Sequence, residues 1–391
     1  MTRHSIVRSL LLVGWKVTAT SKGAWDVTMI AAGRPDSKVE VILGVDTHLD
    51  VHVGVAVDHL LGRSLGELSV PTTANGYERL LCWAESFGPV RCAGIEGASS
   101  YGAGIARHLK AQGVEVLEVE RPKRRQRSSR RNVKSDPSDA ESAARAVLAG
   151  ETSGVPKSGD GCVEMIRALR AARRSAMKSR TQAANQLQGL RVTAPDELRH
   201  RLRGLSSKKL VSVAARFRLG DDPRDVPAAT KFALRSVARR HEALSAEIAK
   251  LDAQLDRLVT QVAPELVSLP GIGTDHAATL LIVAGDNPQR LRSEASFASL
   301  CGVSPVEASS GKVVRHRLNR GANRDANRAL HLICVVRMRI DERTRRYVAR
   351  RTAEGKSRRE IMRCLKRYIA REVYRVLVPA TSPSPIGVST R

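Results

Sequence analysis

Apolar and polar positions alternate through residues 39–60, VEVILGVDTHLDVHVGVAVDHL, in two β-branched runs joined by a short turn, the pattern of paired strands. A third strand is predicted around Gly66–Thr73, then an amphipathic helix from about Asn75 to Phe87. Val90–Glu96 (VRCAGIE) reads as another apolar strand, Ser100–Gln112 as a helix and Val114–Val119 as a strand again. Strands and helices in this order predict an α/β domain over 39–150 with a mixed sheet, its first three strands an antiparallel meander.

The period then changes. Residues 162–192 and 228–263 are long helical stretches. In the second, Leu234, Val237, His241, Leu244, Ile248, Leu251, Leu255, Leu258 and Val262 alternate spacings of three and four, a heptad seam interrupted by His241. In the first, Ile166, Leu169, Ala176, Ala183, Leu187 and Leu190 follow the same rhythm, with Arg173 and Arg180 in the gaps. An intramolecular hairpin and a dimerising coiled coil explain this equally well; either makes 157–265 an all-α arm, with the polar, Pro-bearing Leu205–Pro227 as its turn or tip. A C-terminal domain is expected over 266–378. It opens on LPGIGT and the helix DHAATLLIVAG, and includes a Gly/Ser loop at Ala308–Lys312 and basic helices from Arg324 to Leu377. Residues 1–38, with Met29 an alternative start, and the Ser/Pro-rich 379–391 are expected to be disordered.

Charge changes the picture most. The 391 residues carry a formal net charge of +27, and a protein this basic usually meets a polyanion. Aromatic residues make up only 3%, so phosphate contacts rather than base stacking should dominate. The six cysteines are scattered with no CxxC pair, which argues against structural zinc or a disulfide framework and fits a reducing cytoplasm. No apolar run reaches transmembrane length, so no membrane partner is expected. Arg121–Lys134 (RPKRRQRSSRRNVK) holds eight basic residues and no acidic one, and reads as a loop. Arg124, Arg125, Arg127, Arg130 and Arg131 would lie where a nucleic-acid backbone passes; a merely solvated loop is the plainer reading.

Four carboxylates stand against this positive field. Asp46 ends the first strand, Glu96 ends the VRCAGIE strand, and Asp136 and Asp139 stand i,i+3 on the first turn of a helix. Oxygen ligands converging this way would suit one or two Mg²⁺ ions holding a phosphodiester. Singly, each has a plainer role: Asp46 could cap a turn, with Asp50 a competing ligand, and Asp136 or Ser135 could be an N-cap ahead of Pro137. Downstream, Ser309 and Ser310 precede Gly311 on a loop followed by Lys312, Arg315, Arg317, Arg320, Arg324 and Arg328, cations able to clamp a phosphodiester while a hydroxyl attacks phosphorus. A flexible turn is the plainer account of that loop. LPGIGTDHAATLL is similar to half of a helix-hairpin-helix, whose turn offers backbone amides to a phosphate, or is simply a tight helix–helix turn.

GVDTHLDVHVGVAVD, GIEGASSYG, KSDPSDAESAARA and GVSPVEASSGKVVRHRLNRGANRDANRALH together resemble the DEDD transposases of the insertion sequence one-ten family, relatives of the Piv-type DNA invertases, over roughly residues 40–377. The resemblance implies a RuvC-like, ribonuclease-H-like mixed sheet carrying Asp46, Glu96, Asp136 and Asp139. A mostly helical C-terminal domain would carry the nucleophilic serine, at Ser310 or the adjacent Ser309. It further implies Mg²⁺-dependent cleavage and transfer of donor and target DNA through a phosphoserine, a guide (bridge) RNA, and a homo-oligomer, dimer or tetramer, in which subunits complete one another's active sites. Two other functions fit the residues: a junction resolvase or nuclease hydrolysing with water, and a non-catalytic nucleic-acid-binding protein.

Overall fold

A computed structural model of the chain describes residues 39–120, 136–152, 154–219, 224–311, 316–317, 319 and 321–378, together with the backbone of 15–19 and 25–29. The remainder of the 1–38 extension, the basic segment 121–134 and the 379–391 tail lie outside the described residues. The chain forms two compact units, Met1–Pro156 and Lys157–Arg391.

In the first unit, β1 (Trp15–Ala19) and β2 (Trp25–Met29) pair antiparallel. The main sheet holds β3 (Val41–Thr47), β4 (Val51–Asp58), β5 (Ser64–Pro71), β6 (Val90–Glu96) and β7 (Glu115–Val119), in the order β5-β4-β3-β6-β7. The meander β3–β4–β5 is antiparallel, while β3–β6 and β6–β7 are parallel, as crossover connections through helices require. Those helices are α1 (Ala74–Glu85) and α2 (Ala103–Ala111); α3 (Asp136–Leu148) completes the unit.

Side chains alternate across a strand, and the two faces are used differently. Leu43 and Val45 of β3, with Ala93 and Ile95 of β6, pack on Leu80 and Leu81 of α1 and Ile105 and Leu109 of α2. Ile42 and Cys92 face the other way, with Ala140 and Ala144 of α3. On that face the sheet offers glycine. A Cβ on Gly44 would fall 2.0 Å from the Ala140 carbonyl oxygen, and one on Gly94 2.6 Å from Val147 Cγ2, so α3 rests on the backbone of the two central strands.

The second unit is helical. The helices α4 (Cys162–Val192) and α7 (Val226–Val262) run antiparallel as one intramolecular hairpin: Ile166 packs near Leu255 and Val259 at the base, Leu187 near Leu234 and Ala238 at the far end. Arg173, a gap in the apolar rhythm, ion-pairs with Asp252 across the seam. Asp225 caps α7, accepting from the Ala228 amide at 2.7 Å, with Pro227 in the first turn where a missing N–H costs nothing. The stretch Leu205–Pro227, expected as a turn or tip, contains α6 (Ser207–Ala215), and α5 (Asp196–Leu202) directly precedes it; the two helices enclose a core of Leu187, Leu198, Leu202, Leu210, Phe217 and Leu234. The polar composition obscured apolar residues that recur at helical spacing.

Beyond the arm come α8 (Pro264–Ser268), α9 (Thr274–Ala284), a 3₁₀ turn at Pro288–Arg290, α10 (Glu294–Leu300), the paired β8 (Val306–Glu307) and β9 (His316–Arg317), then α11 (Arg324–Ile340), α12 (Glu342–Ala353) and α13 (Arg358–Leu377). Their shared core includes Leu266, Leu280, Phe297, Leu330, Ile333 and Ile369. Among the described residues, no helix is long and apolar enough to cross a membrane.

Candidate active site

The register of the two central strands sets the first part of the site. Gly44 pairs with Gly94 and Val45 with Ile95, so Asp46 and Glu96 follow at the same level, on the face that carries α3. The Thr47 hydroxyl donates to the Glu96 carbonyl at 2.8 Å and ties the two strand ends together. Because α3 runs back over Gly44 with its N-terminus toward the ends of these strands, Asp136 in its first turn comes to Asp46.

Asp46, His48 and Asp136 offer one ligand atom each within 4.8 Å of one another. His48 Nε2 lies 3.1 Å from Asp46 Oδ2 and 3.5 Å from Asp136 Oδ1. The Asp46 side chain is 9% exposed, whereas those of His48 and Asp136 are 51% and 55% exposed, so the group opens to solvent on one side. Two carboxylates held this close suit a hard divalent cation that keeps water on its open side, and an imidazole beside them is a donor more readily accepted by Mn²⁺ than by Mg²⁺. The donor set therefore fits a divalent metal without choosing between the two ions.

Glu96 and Asp139 stand outside this three-residue group. Asp139 is half-buried one helical turn beyond Asp136, and Glu96 is half-buried at its strand end. Asp50, the competing ligand, is exposed and also outside the group. His48 is the residue that sequence reasoning passed over. It ends no strand and, although it lies within the quoted GVDTHLD stretch, it is not one of that motif's acidic residues; its one signal was its place two residues after Asp46, where β3 gives way to the turn.

In the second unit, Ser309 and Ser310 are exposed at the end of the strand pair β8–β9, where Val306 pairs with Arg317. Gly311 follows at φ +57°, a left-handed conformation that explains a glycine directly after the serines. Arg317, Arg324 and Arg328 are exposed, the last two on the first turns of α11. Lys312, Arg315 and Arg320, like Arg124, Arg125, Arg127, Arg130 and Arg131, lie outside the described residues.

The LPGIG turn is committed to packing. Ile272 is buried, Arg337 of α11 donates through Nε to the Pro270 carbonyl at 2.7 Å, and its Nη1 meets Glu372 Oε2 at 2.5 Å. The Thr274 hydroxyl bonds to the Asp256 carboxylate, and Asp275 occupies the first turn of α9. Carboxylates thus stand where a phosphate would approach, which favours the tight helix–helix turn of the two readings.

A mixed five-stranded sheet, with acidic side chains ending its two central strands and a helix opening on aspartate laid across them, defines a RuvC-like α/β domain, here followed by a helical C-terminal region. Residues 43–192 match the transposase family model for DEDD proteins of IS110 type, and residues 263–349 match the model described as "Transposase IS116/IS110/IS902 family". The chain belongs to the IS110 family of DEDD transposases. It is 33% identical over 144 residues to the insertion element IS110 uncharacterized 43.6 kDa protein of Streptomyces coelicolor, a stretch covering 35% of each chain. It is 28% identical over 134 residues to the insertion element IS900 uncharacterized 42 kDa protein of Mycobacterium paratuberculosis, covering 34% of each. The chain thus matches about a third of the length of these curated relatives.

Proposed function

We propose that the chain is the transposase of an insertion element, cutting and rejoining DNA strands through a covalent serine link. The observation that carries this reading is the convergence of Asp46, His48 and Asp136 on a sheet of this family, within 4.8 Å of one another. In this proposal Asp46, Asp136, Glu96 and Asp139 serve a Mg²⁺ site, and His48 either joins it or orients the carboxylates. The bound ion would supply Lewis-acid stabilisation of charge on the phosphate oxygens.

The chain's own residues have distinct parts. Ser310 Oγ would attack phosphorus, forming an O–P bond as the bond to one strand end breaks, with the serine proton released and the leaving oxygen protonated. The displaced strand's exchange partner would reverse the step, its hydroxyl expelling serine. Arg317, Arg324 and Arg328, with Lys312, Arg315 and Arg320, would hold the phosphate backbone, and Arg124, Arg125, Arg127, Arg130 and Arg131 would do so on the first unit. A guide RNA and a homo-oligomer belong to the same proposal, supported by family membership and by the +27 charge.

The test uses full-length protein, Mg²⁺ or Mn²⁺, co-purified RNA and end-labelled element DNA, resolved on a denaturing gel. A protein–DNA adduct is expected; it should vanish in Ser310→Ala, persist in Ser309→Ala and fail to form in Asp46→Asn. Cleaved ends without any adduct would instead indicate hydrolysis by water. Binding with no cleavage under any condition would leave a nucleic-acid-binding protein.

A further inference from the structure

A cavity of about 390 Å³ lies between the 302–305 loop, Arg317 of β9 and one face of α13. Pockets of that size accept small organic molecules. Its lining is of two kinds: Val303, Pro305 and the Tyr368 ring supply apolar surface, and five cations surround them, Arg317, Arg363, Lys366, Arg367 and Arg371. Glu294 pairs with two of these, Arg367 and Arg371. The other three, Arg317, Arg363 and Lys366, have no carboxylate partner among the described residues.

Lys366 is held in place. Its ammonium donates to Asn327 Oδ1 at 2.9 Å, and the Asn327 amide donates to the carbonyls of Cys301 and Gly302 at 3.0 and 2.9 Å, so one side chain fixes both a cavity wall and a cation. Burial lowers the Lys366 pKa, opposed in part by the nearby Cys334 and reinforced to a lesser degree by Arg363. Tyr368 is held too: its ring meets Tyr347 edge-on at 5.7 Å, and Arg371 stands 5.9 Å from its centroid, yet 47% of the residue stays exposed. The chain has five tyrosines, and two of them meet here.

We propose that this cavity takes one unstacked nucleotide of a single-stranded nucleic acid, its base against Tyr368 and its phosphate on Arg317, Arg363 and Lys366. A base in a duplex stays paired and stacked, so a duplex could offer only its phosphates to this site. The proposal rests on the nucleic-acid reading above but not on the serine chemistry, and it is tested in a Ser310→Ala background with chelator present.

Binding of full-length protein to a labelled single strand is compared with binding to the blunt duplex of the same sequence. Tyr368→Ala should weaken the single strand about tenfold and the duplex less than about twofold, while Tyr368→Phe keeps both. Arg363→Ala should lower the salt slope for the single strand by about 0.7. Equal losses on both substrates, or none, overturn the proposal.

A second measurement needs no variant at the pocket. Cys364 lines the cavity, whereas Cys82 and Cys162 are exposed elsewhere. Alkylation followed by mass spectrometry should find Cys364 protected by the single strand, with Cys82 and Cys162 unchanged. No protection, or equal protection by a free mononucleotide, overturns it. Protection without any serine adduct in the wild-type assay would leave the pocket standing and the strand-transfer reading fallen; an adduct without protection would do the reverse.

Discussion

His52 is wholly buried, with no hydrogen-bond partner for either ring nitrogen among the described residues, and it stacks on Tyr77 with ring centroids 5.7 Å apart. Burial lowers its pKa below the ordinary 6.5. Above that pH the ring is neutral folded or unfolded; as pH falls below it, the unfolded chain takes up the proton first and stability declines until the folded pKa is passed. In metal-free protein the melting temperature of the first unit should therefore fall more steeply between about pH 7 and about pH 5 than it does in His52→Phe, which keeps the stacked ring. Parallel profiles would refute this. Arg337 poses the opposite problem, a buried charge held through Nη1 by Glu372 and through Nε by the Pro270 carbonyl. Arg337→Ala should cost about 3 kcal/mol in urea unfolding, because it strands both partners; a change within error would show that the clamp on the LPGIG turn is dispensable.

At the scale of elements, α3 and its glycine bed decide the geometry of the proposed metal site. Gly44→Val places side-chain atoms where the Ala140 carbonyl already lies, so α3 must lift, at about 1–3 kcal/mol or more. Calorimetric titration should show Mn²⁺ affinity lost out of proportion to that destabilisation, since Asp136 leaves Asp46; unchanged affinity would mean that α3 does not set the site. The strands themselves were legible, because β-branched alternation in 41–58 and the apolar run 90–96 leave little choice of face. The importance of Gly44 was not: its contact lies 96 residues downstream at Ala140, and spacing says nothing about a backbone-to-backbone approach. His48 escaped for a related reason, since a turn residue has no periodicity to betray where it points. The α5 and α6 helices were hidden by charge, since DELRHRL and SKKLVSVAA each bury only their apolar stripe.

For the whole molecule, the net charge of +27 predicts that affinity for DNA or RNA falls by on the order of a thousandfold between about 50 and 200 mM salt, checked by anisotropy titration. A shallow slope would mean few phosphate contacts, whatever the formal charge. The arm has a different consequence. Its base and its tip each own a separate core, while between them the shaft buries little more than Ala176, Ala183 and Ile248. A rod with an independent knot at either end behaves as a graduated spacer. Excising one heptad from each helix would shorten it by about 10 Å and return every seam residue to its own face. The reach of the tip becomes a dial that can be turned in steps of a heptad, and whatever the tip touches can be located by the step at which the protein stops working.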